Sequence, residues 1–355
     1  MPSLADSYLV DSALSRSSMP TSYANQQPAG FKNRVEKVAI VGAGGQSGKF
    51  ITDALIKAGK HQVTAITRAD ADSANAMPEG LHSVQHVDYS DHASMVTALK
   101  GQDVLVVTLS VTAPSDTQIK LIDAAVEAGV KWIIPNEWGY DIAQVAMMKD
   151  TMLYDRLVDV RKHIEKTGGN KTRWIGLSCG FWYEFSLSGT EARYGFDFDR
   201  KTVTFFDDGN TQISTSTWPQ VGRAVARLLS LKVLPDDAND TSPYLSKYNN
   251  RVVYASSFLV SQRDMLDSVL RVTGAKESDW TITHEDAVKR FDRGRELLSK
   301  GNMVGFVMLL YTRVFYQNGG GDFSDKLDND LLGLPKENLD DATAIAVGMA
   351  LSSKG

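Results

Sequence analysis

The sequence predicts an α/β fold, in which a doubly wound parallel sheet is followed by a smaller α+β region. From Val35 to Pro135, short apolar runs alternate with segments whose apolar residues recur at helical spacing. The apolar runs have few polar residues on either face, which is typical of parallel strands covered by helices on both sides. After Pro135 the alternation loosens, which indicates a second region of mixed character.

The first elements follow directly from this alternation. The run VEKVAIVGA from Val35 predicts a strand, and KFITDALIKAG predicts a helix that ends at Gly59, a typical C-cap residue. HQVTAITR and HSVQHVDY predict the second and third strands. SDHASMVTALKG predicts a helix that is capped by Ser90 or Asp91 and stops at Gly101.

The pattern continues with the buried strand DVLVVTLS, the helix DTQIKLIDAAVEAGV and the strand KWIIP, which Pro135 ends. Beyond it, a helix is predicted over residues 151–166 and a core strand in TRWIGLSCGFWYEF. Two β-like runs flank a turn signal at residues 208–210. Further helices are predicted from Pro219 and after a cap at Ser261.

The composition narrows the functional class. With 355 residues, 43% of them hydrophobic, the chain can bury a full core without a disulfide or metal. Its formal charge is -5, and no basic run offers a surface for nucleic acid. Cys179 is the only cysteine, the histidines form no zinc-like cluster, and no apolar stretch has the length of a membrane span. We expect a cytoplasmic monomer or homodimer without metal, membrane or nucleic-acid partners.

A glycine-rich loop joins the first strand directly to the first helix. A turn this tight needs residues without a Cβ atom, so that backbone amides and the positive end of the helix can receive a pyrophosphate. An ordinary glycine-rich turn is the alternative, but strand, loop and helix occur here in the order of a Rossmann-type dinucleotide site. The residues assigned to a nicotinamide cofactor are Gly42, Ala43, Gly44, Gly45, Gln46, Ser47 and Gly48.

The second strand ends at Arg68, where an NAD-preferring loop usually carries an acid that binds the ribose 2′-hydroxyl. An arginine can instead bind a 2′-phosphate through paired hydrogen bonds, so NADPH is expected rather than NADH. The alternatives are that Arg68 is a solvated charge, or that Asp70 alters the preference. Ser110, at the end of the fourth strand, and Asn136 are further candidate cofactor contacts.

The loop GAGGQSG, Arg68 and the segment PNEWG at residues 135–139 together resemble the NmrA-like and isoflavone reductase group of atypical short-chain dehydrogenases. Within that group, the chain resembles the fungal isoflavone-reductase-like proteins most. PNEWG is similar to PSEFG of the plant reductases. The resemblance implies a Rossmann domain beside a smaller substrate domain, and NADPH-dependent reduction of phenolic, benzylic-ether or enone-like substrates.

Three parts of the chain are expected from these patterns. Residues 1–34 are rich in Ser, Ala, Pro and Gln, which predicts a flexible tail. Residues 35–180 form the predicted NAD(P)-binding Rossmann domain. Residues 181–355 form the predicted substrate domain, which shares some strands with the first.

One position departs from the plant reductases. They carry a lysine four residues before the arginine of an R-x-x-I-E pattern, and here that pattern begins at Arg161 while the lysine position is Leu157. Leucine cannot donate a proton. The Y-x-x-x-K pair of ordinary short-chain dehydrogenases is also missing, because no lysine follows four residues after Tyr140, Tyr154 or Tyr183.

Two side chains are candidate catalytic replacements. Tyr154 lies one helical turn before Leu157 and could present its phenol to the nicotinamide, with half-buried packing as the alternative. Glu137 could act as an acid if Trp132 and Trp138 desolvate it and raise its pKa. The alternative for Glu137 is a carboxylate that shapes the loop.

Aromatic residues are dense in GFWYEF, which follows a core strand. Ligands of open α/β folds bind at the carboxyl edge of the sheet. Trp138, Phe181, Trp182 and Tyr183 are therefore candidate contacts for a small aromatic or apolar substrate. The alternative is a hydrophobic seam between the two domains.

Three functions remain open on these observations. The leading hypothesis is an NADPH-dependent reductase of a small aromatic or conjugated substrate of the secondary-metabolite type. The second is a dinucleotide-sensing regulator that resembles the NmrA-like co-repressors; the missing lysine favours it and the aromatic segment opposes it. The third is an isomerase or cyclase on the same scaffold.

Overall fold

The computed structural model describes residues 22–69, 77–110, 113–318 and 320–352. The strands in these ranges are β1 Lys37–Val41, β2 Gln62–Arg68, β3 Ser83–Val87, β4 Val104–Val107, β5 Trp132–Ile134, β6 Trp138–Gly139, β7 Arg173–Ser178, β8 Phe181–Trp182, β9 Phe196–Asp197, β10 Thr202–Phe206, β11 Ile213–Ser216, β12 Arg251–Tyr254, β13 Phe258–Val260 and β14 Thr281–Glu285.

A parallel sheet of eight strands forms the centre of the molecule. The strand order is β3, β2, β1, β4, β5, β7 and β12, with β6 also paired to β7. All of these pairings are parallel, which confirms the predicted doubly wound sheet. The strand order reverses between β1 and β4, and in such sheets a crevice opens beyond the carboxyl ends of the strands at this point.

Helices cover both faces of this sheet. The α-helices are α1 Gly48–Ala58, α2 His92–Leu99, α3 Thr117–Glu127, α4 Val145–Asp150, α5 Tyr154–Gly168, α6 Tyr183–Leu187, α7 Trp218–Leu229, α8 Gln262–Thr273, α9 Ala287–Ser299, α10 Met303–Arg313 and α11 Leu339–Ser352. Apolar residues of α1 and α7 pack on one face of the sheet, and those of α2, α3 and α5 pack on the other. The alternating residues of β1 divide accordingly between two buried clusters.

The C-terminal part of the chain builds a second core. Two three-stranded sheets, β14–β10–β9 and β13–β11–β8, pack with α8, α10 and α11 around buried aromatic residues. β12 belongs to this part of the sequence but pairs with β7, so it extends the central sheet. The two regions are therefore joined through a shared sheet as well as through the connecting chain.

One local expectation is confirmed and one differs from the structure. The β-like runs around residues 208–210 form β10 and β11, and these two strands belong to different sheets. The helix predicted over residues 151–166 begins only at Tyr154. Met152 has a φ of 60°, and this left-handed residue separates α5 from the short helix α4.

The described part of the predicted tail contacts the body of the protein. The Ala24 amide donates to the Pro235 carbonyl at 2.9 Å. The Asn33 side chain donates to the Leu234 carbonyl at 2.9 Å and accepts from the Leu234 amide at 2.8 Å. Residues 22–34 are therefore docked beside residues 234–236, and the rest of the predicted tail lies outside the described residues.

Side-chain caps begin α8 and α2 as the sequence predicted, and α7 has a cap that the sequence analysis did not name. Ser261 forms a capping box with Asp264 at the start of α8. α7 begins at Trp218, one residue before the predicted Pro219, and the Thr217 hydroxyl accepts from the Gln220 amide. Of the two predicted caps of α2, the structure selects Asp91.

Asp91→Ala is expected to lower the free energy of unfolding by about 1 kcal/mol, because the Ala93 amide loses its carboxylate acceptor. Ser90→Ala is the matched control, since the Ser90 hydroxyl donates to Asp88 rather than capping the helix. Urea unfolding followed by circular dichroism measures both variants. A loss for Ser90→Ala as large as that for Asp91→Ala would contradict the assignment of the cap.

Candidate active site

The glycine-rich loop lies at the carboxyl edge of β1 and β4. Gly42 has a φ of 81°, and a Cβ atom there would overlap the Thr108 carbonyl that follows β4. A Cβ atom on Gly48 would overlap the Gly42 carbonyl. The Gly45 amide donates to the Gly42 carbonyl at 2.9 Å, which closes the turn. Glycine is thus required for the turn and for the close approach of α1 to the sheet.

The remaining loop residues occupy the opening of the crevice. The Ala43 side chain is buried in the core, so only its backbone is available to a ligand. Gly44, Gly45 and Ser47 are half-buried, and Gln46 is exposed. Ser47 holds the N-cap position of α1, and its side chain makes no capping hydrogen bond. The loop therefore presents the positive end of α1 towards the carboxyl edge.

Arg68 and Ser110 lie at the same edge of the sheet as the loop. Val41 pairs with Ile66 and with Val107, so the chain segments that follow these residues leave the sheet side by side. Arg68 is exposed. Burial raises the pKa of the nearby Tyr89 phenol to about 12, and the positive charge of Arg68 offsets part of this rise. Asp70 lies outside the described residues.

The PNEWG segment ties the end of β5 to the end of β4. The Asn136 side chain donates to the Leu109 carbonyl at 3.1 Å. The Asn136 backbone amide donates to the side-chain oxygen of Gln118 at 2.6 Å. The Trp138 indole donates to the Val107 carbonyl at 2.9 Å. Both predicted site residues thus lie at the carboxyl edge, where they hold the backbone of neighbouring loops.

Glu137 forms a buried ion pair with Arg161 of α5. The Arg161 Nε atom donates to Glu137 Oε2 at 2.9 Å, and Nη2 donates to Oε1. The guanidinium also lies 4.3 Å from the centre of the Trp174 ring. Burial raises the pKa of Glu137, while Arg161 acts in the opposite direction.

The surroundings of Glu137 differ in one respect from those expected. The ring beside the ion pair belongs to Trp174, whereas the Trp132 indole donates to the Asn249 side chain at 2.9 Å. Gly176 provides the space, since a Cβ atom there would overlap the Glu137 carboxylate. Glu137 is thus a buried carboxylate held by a bidentate arginine, as in the loop-shaping alternative.

Tyr154 is the first residue of α5, and Leu157 follows one turn later. Both side chains are partly buried against the apolar cluster of the C-terminal part, together with Leu153 and Phe181. The Lys149 ammonium lies 5.4 Å from the centre of the Tyr154 ring. The structure thus places Tyr154, Leu157 and Phe181 around one cluster.

The residues of GFWYEF separate into different environments. Phe181 stacks on Tyr311 with ring centres 4.0 Å apart and meets the Tyr140 ring edge-on at 4.9 Å. Trp182 instead packs near Trp218, at 6.2 Å between ring centres. Tyr183 is fully buried, and its hydroxyl is 2.7 Å from that of Thr343 in α11. The structure therefore places Tyr183 in the core rather than on the surface of a cleft.

Comparison with known proteins identifies the family. The model of the NmrA-like family matches residues 34–188. The oxidoreductase aprR of Aspergillus flavus is 30% identical over 311 residues, which cover 87% of this chain and 97% of that protein. The chain belongs to the NmrA-like family.

The chain is also similar in sequence to a plant reductase, and two solved structures of plant reductases share its fold. Pinoresinol reductase 2 of Arabidopsis thaliana is 29% identical over 193 residues, covering 50% of this chain and 59% of that protein. The structure of AtPrR2 with NADP+ and (+)pinoresinol has a TM-score of 0.69 at 19% identity, covering 89% of this chain and all of that one. Leucoanthocyanidin reductase of Vitis vinifera, in complex with NADPH, has a TM-score of 0.68 at 15% identity, covering 88% and 99%.

Three residues of this NmrA-like protein that the sequence did not single out join the aromatic segment. Phe50, in the first turn of α1, stacks on Trp218 with ring centres 5.6 Å apart and planes inclined by 9°. The Trp218 amide donates to the Glu184 carboxylate at 3.3 Å. No pattern in the sequence predicts that residues 50, 184 and 218 lie together. The one local indication is that Trp218 precedes Pro219, where a helix was predicted to begin.

Glu184 is buried, with 2% of its surface exposed. Burial raises the pKa of its carboxyl group to about 7, and the nearby Glu337 acts in the same direction. Backbone amides and Arg223 lower this pKa in part. Glu184 therefore holds its proton to a higher pH than an ordinary glutamate does.

No helix in the described ranges is long and apolar enough to cross a bilayer.

Arg161→Met is expected to lower the free energy of unfolding by roughly 3 to 5 kcal/mol, because it leaves the Glu137 carboxylate buried without its partner. Adding Glu137→Gln should recover part of this loss, since the amide carries no charge. Chemical denaturation measures both variants, with Arg156→Met, on the exposed face of α5, as the control. Equal stability of Arg161→Met and Arg156→Met would show that the ion pair is not formed.

Glu184→Gln is expected to change how stability depends on pH. The Glu184 pKa rises from 4.5 to about 7 on folding, so the free energy of unfolding falls as the pH rises between these values. Across this pH range the titration of Glu184 lowers the free energy of unfolding by about 3 kcal/mol in total. The glutamine variant has no titrating group at this position and lacks this pH dependence. Thermal unfolding at pH 5 and pH 8 measures the difference. Parallel pH profiles of the two proteins would contradict the raised pKa.

Proposed function

We propose that this protein is an NADPH-dependent reductase of a small aromatic or conjugated substrate of the secondary-metabolite type. The glycine loop carries the proposal, because its Cβ-free turn brings backbone and the positive end of α1 to the carboxyl edge of the sheet. The fungal relative that aligns over nearly its whole length is an oxidoreductase, which agrees with this proposal.

The described residues fit a dinucleotide. The half-buried loop residues Gly44, Gly45 and Ser47 would receive the pyrophosphate, and Arg68 would bind the 2′-phosphate. Ser110 and Asn136 lie where the loops after β4 and β5 meet, which is a suitable place for contacts to the nicotinamide half. When bound, the reduced nicotinamide supplies the hydride. The structures of AtPrR2 and leucoanthocyanidin reductase, which contain NADP+ and NADPH, agree with this choice of cofactor.

Among the candidate acids, the geometry favours Tyr154 over Glu137. The Glu137 carboxylate is engaged by both nitrogens of Arg161, so protonating it would break a buried ion pair. Tyr154 lies one turn from Leu157 at the start of α5, and its ring borders the same cluster as Phe181. Tyr154 would hold a proton near the substrate, with Glu137 and Arg161 fixing the loop around it.

The substrate would lie against the partly exposed aromatic residues of this edge. Trp138, Phe181 and Trp182 are half-buried, so part of each ring can contact a planar ligand. Tyr183 has no exposed surface and its hydroxyl is engaged by Thr343, so it is left out of the proposed substrate contacts.

Arg68→Ala should weaken NADPH binding by about ten- to hundredfold, because charge-assisted hydrogen bonds to the 2′-phosphate contribute roughly 1.5 to 3 kcal/mol. The affinity for NADH, which lacks this phosphate, should change by less than about threefold. Isothermal titration calorimetry measures both affinities. The control is Arg251→Ala, an exposed arginine at the start of β12. An equal loss for the two cofactors would refute the role of Arg68.

A second candidate is a dinucleotide-sensing regulator, which Leu157 favours because leucine supplies no proton at the family's lysine position. Oxidation of NADPH, followed at 340 nm with a panel of quinones, enones and phenolic ethers, distinguishes the two functions. The reductase predicts turnover with at least one substrate. NADPH binding without turnover on the whole panel would favour the regulator.

A further inference from the structure

Arg193 is a half-buried arginine without an acidic partner. In the described part of the chain, no carboxylate lies within ion-pair distance of its guanidinium group, and Glu191, the nearest acid in sequence, pairs with Arg290 instead. Burial lowers the pKa of Arg193, and the nearby phenols of Tyr311 and Tyr194 offset part of this effect. Charged side chains that leave water are normally paired with an opposite charge. Arg193 therefore carries a positive charge that no described residue neutralises.

Three contacts hold the Arg193 side chain in one place. Its guanidinium lies 3.6 Å from the centre of the Phe185 ring, and Nη1 donates to the Phe185 carbonyl. Gly189 provides the space, because a Cβ atom there would overlap the Arg193 side chain. An arginine that is already fixed by a ring and a carbonyl loses little further freedom when it binds a ligand.

The remaining edge of this guanidinium is open. Nε and Nη2 of Arg193 donate to no acceptor among the described residues, and neither atom is one of the buried polar atoms without a partner, so both reach the surface. Nε and Nη2 are also the two atoms with which Arg161 holds the Glu137 carboxylate. The open edge of Arg193 thus has the geometry that binds a carboxylate through two parallel hydrogen bonds.

Phe185 connects Arg193 to the glycine-rich loop. The Phe185 ring is 6.2 Å from that of Trp182, a proposed substrate contact, and 6.0 Å from that of Trp218. Trp218 in turn stacks on Phe50, in the first turn of α1. The ring beneath the guanidinium is therefore two ring contacts away from the helix that follows the cofactor loop.

Tyr311 connects Arg193 to a second proposed substrate contact. Burial raises the pKa of the Tyr311 phenol, and the positive charge of the nearby Arg193 offsets part of this rise. The Tyr311 ring stacks on Phe181 with ring centres 4.0 Å apart. Phe181 and Trp182 are both half-buried, so part of each ring is exposed. Arg193 is thus linked through one ring to each of these two proposed contacts.

The charges in this region favour an anionic ligand. Lys49, whose ammonium group lies over the adjacent ring of α1, resembles Arg193 in having no ion pair within the described ranges. Glu337 is neutralised by Arg223. Burial raises the pKa of Glu184 to about 7, so below that pH its carboxyl group is mostly uncharged. An anion would therefore meet unpaired cations and little opposing charge.

We propose that Arg193 binds a carboxylate group of the substrate through its Nε and Nη2 atoms. The inference rests on the proposed reductase function and defines its substrate further, as an aromatic or conjugated acid whose ring system lies against Phe185 and Trp182. The carboxylate accepts two hydrogen bonds and supplies the negative charge that the protein itself does not provide. Arg193 selects and orients the substrate and takes no part in the chemical step.

A matched pair of ligands tests this assignment on the full chain saturated with NADP+ at pH 6, where Glu184 is protonated and an aromatic carboxylate is still ionised. The probes are 2-naphthoate and 2-naphthamide, which have the same ring system and nearly the same shape but differ in charge. Isothermal titration calorimetry should show the naphthoate binding about ten- to hundredfold tighter, the range expected for hydrogen bonds to charged groups.

Variants then assign the preference to Arg193. Arg193→Gln should remove it and change the affinity for the amide by less than about threefold. Arg193→Lys keeps the charge without the paired donors, so it should restore only part of the preference. Arg263→Gln is the matched control, because Arg263 also lies over a phenylalanine ring, 4.7 Å from its centre, and donates to a backbone carbonyl. The control should leave both affinities unchanged.

The outcomes separate this assignment from the proposed function. Equal affinity of the wild-type protein for the two ligands, or no binding of the naphthoate, would overturn the carboxylate site, and this comparison needs no variant to fold. A preference that survives in Arg193→Gln would also overturn it, because another cation would then bind the carboxylate. Failure to bind NADP+ before the ligands are added would instead overturn the proposed reductase function.

Discussion

The absence of side chains at Gly42 and Gly48, between the first strand and the first helix, is the constraint on which the candidate site depends. Thr108 donates its hydroxyl to the Val41 carbonyl at 2.7 Å, and the Gly42 backbone lies against the Thr108 carbonyl. Gly48 then lies against the Gly42 carbonyl, so α1 begins at the edge of the sheet itself. Any side chain at these two glycines would push the helix away and separate its positive end from the crevice.

The same kind of close contact connects the loop to the aromatic cluster formed by Phe50, Trp182, Phe185 and Trp218. Gly222 of α7 lies against the Phe50 carbonyl, and a Cβ atom there would overlap it. This contact brings the first turns of α1 and α7 together and stacks Trp218 on Phe50. Gly42 and Gly48 of the glycine-rich loop, together with the distant Gly222, therefore determine where this loop and the aromatic residues meet. Because interiors are close-packed, such contacts leave little freedom for the elements to shift.

The side chains of the PNEWG segment connect neighbouring parts of the protein. Asn136 and Trp138 bind the backbone carbonyls of Leu109 and Val107, and Glu137 holds α5 through Arg161. The segment thus fixes the end of β5, the end of β4 and the helix that carries Tyr154. Its polar groups are engaged inside the protein, which explains why these residue types are needed even before a ligand is considered.

The sequence by itself determined the features that depend on neighbouring residues. The periodicity of apolar residues predicted the parallel sheet, and glycines between a strand and a helix predicted the loop at residues 42–48, because both signals act within one or two turns of chain. The start of α5 was predicted three residues early, since the left-handed Met152 carries no sequence signal.

Only the tertiary structure decided which side chains meet. It paired Glu137 with Arg161 beside Trp174, buried Tyr183 against Thr343, and brought Phe50, Glu184 and Trp218 together. These contacts join segments separated by many residues, and their energy depends on the packing of whole helices against the sheet. Local patterns in a single sequence do not contain that packing, and for this reason the loop was predictable from the residues while the aromatic cluster was not.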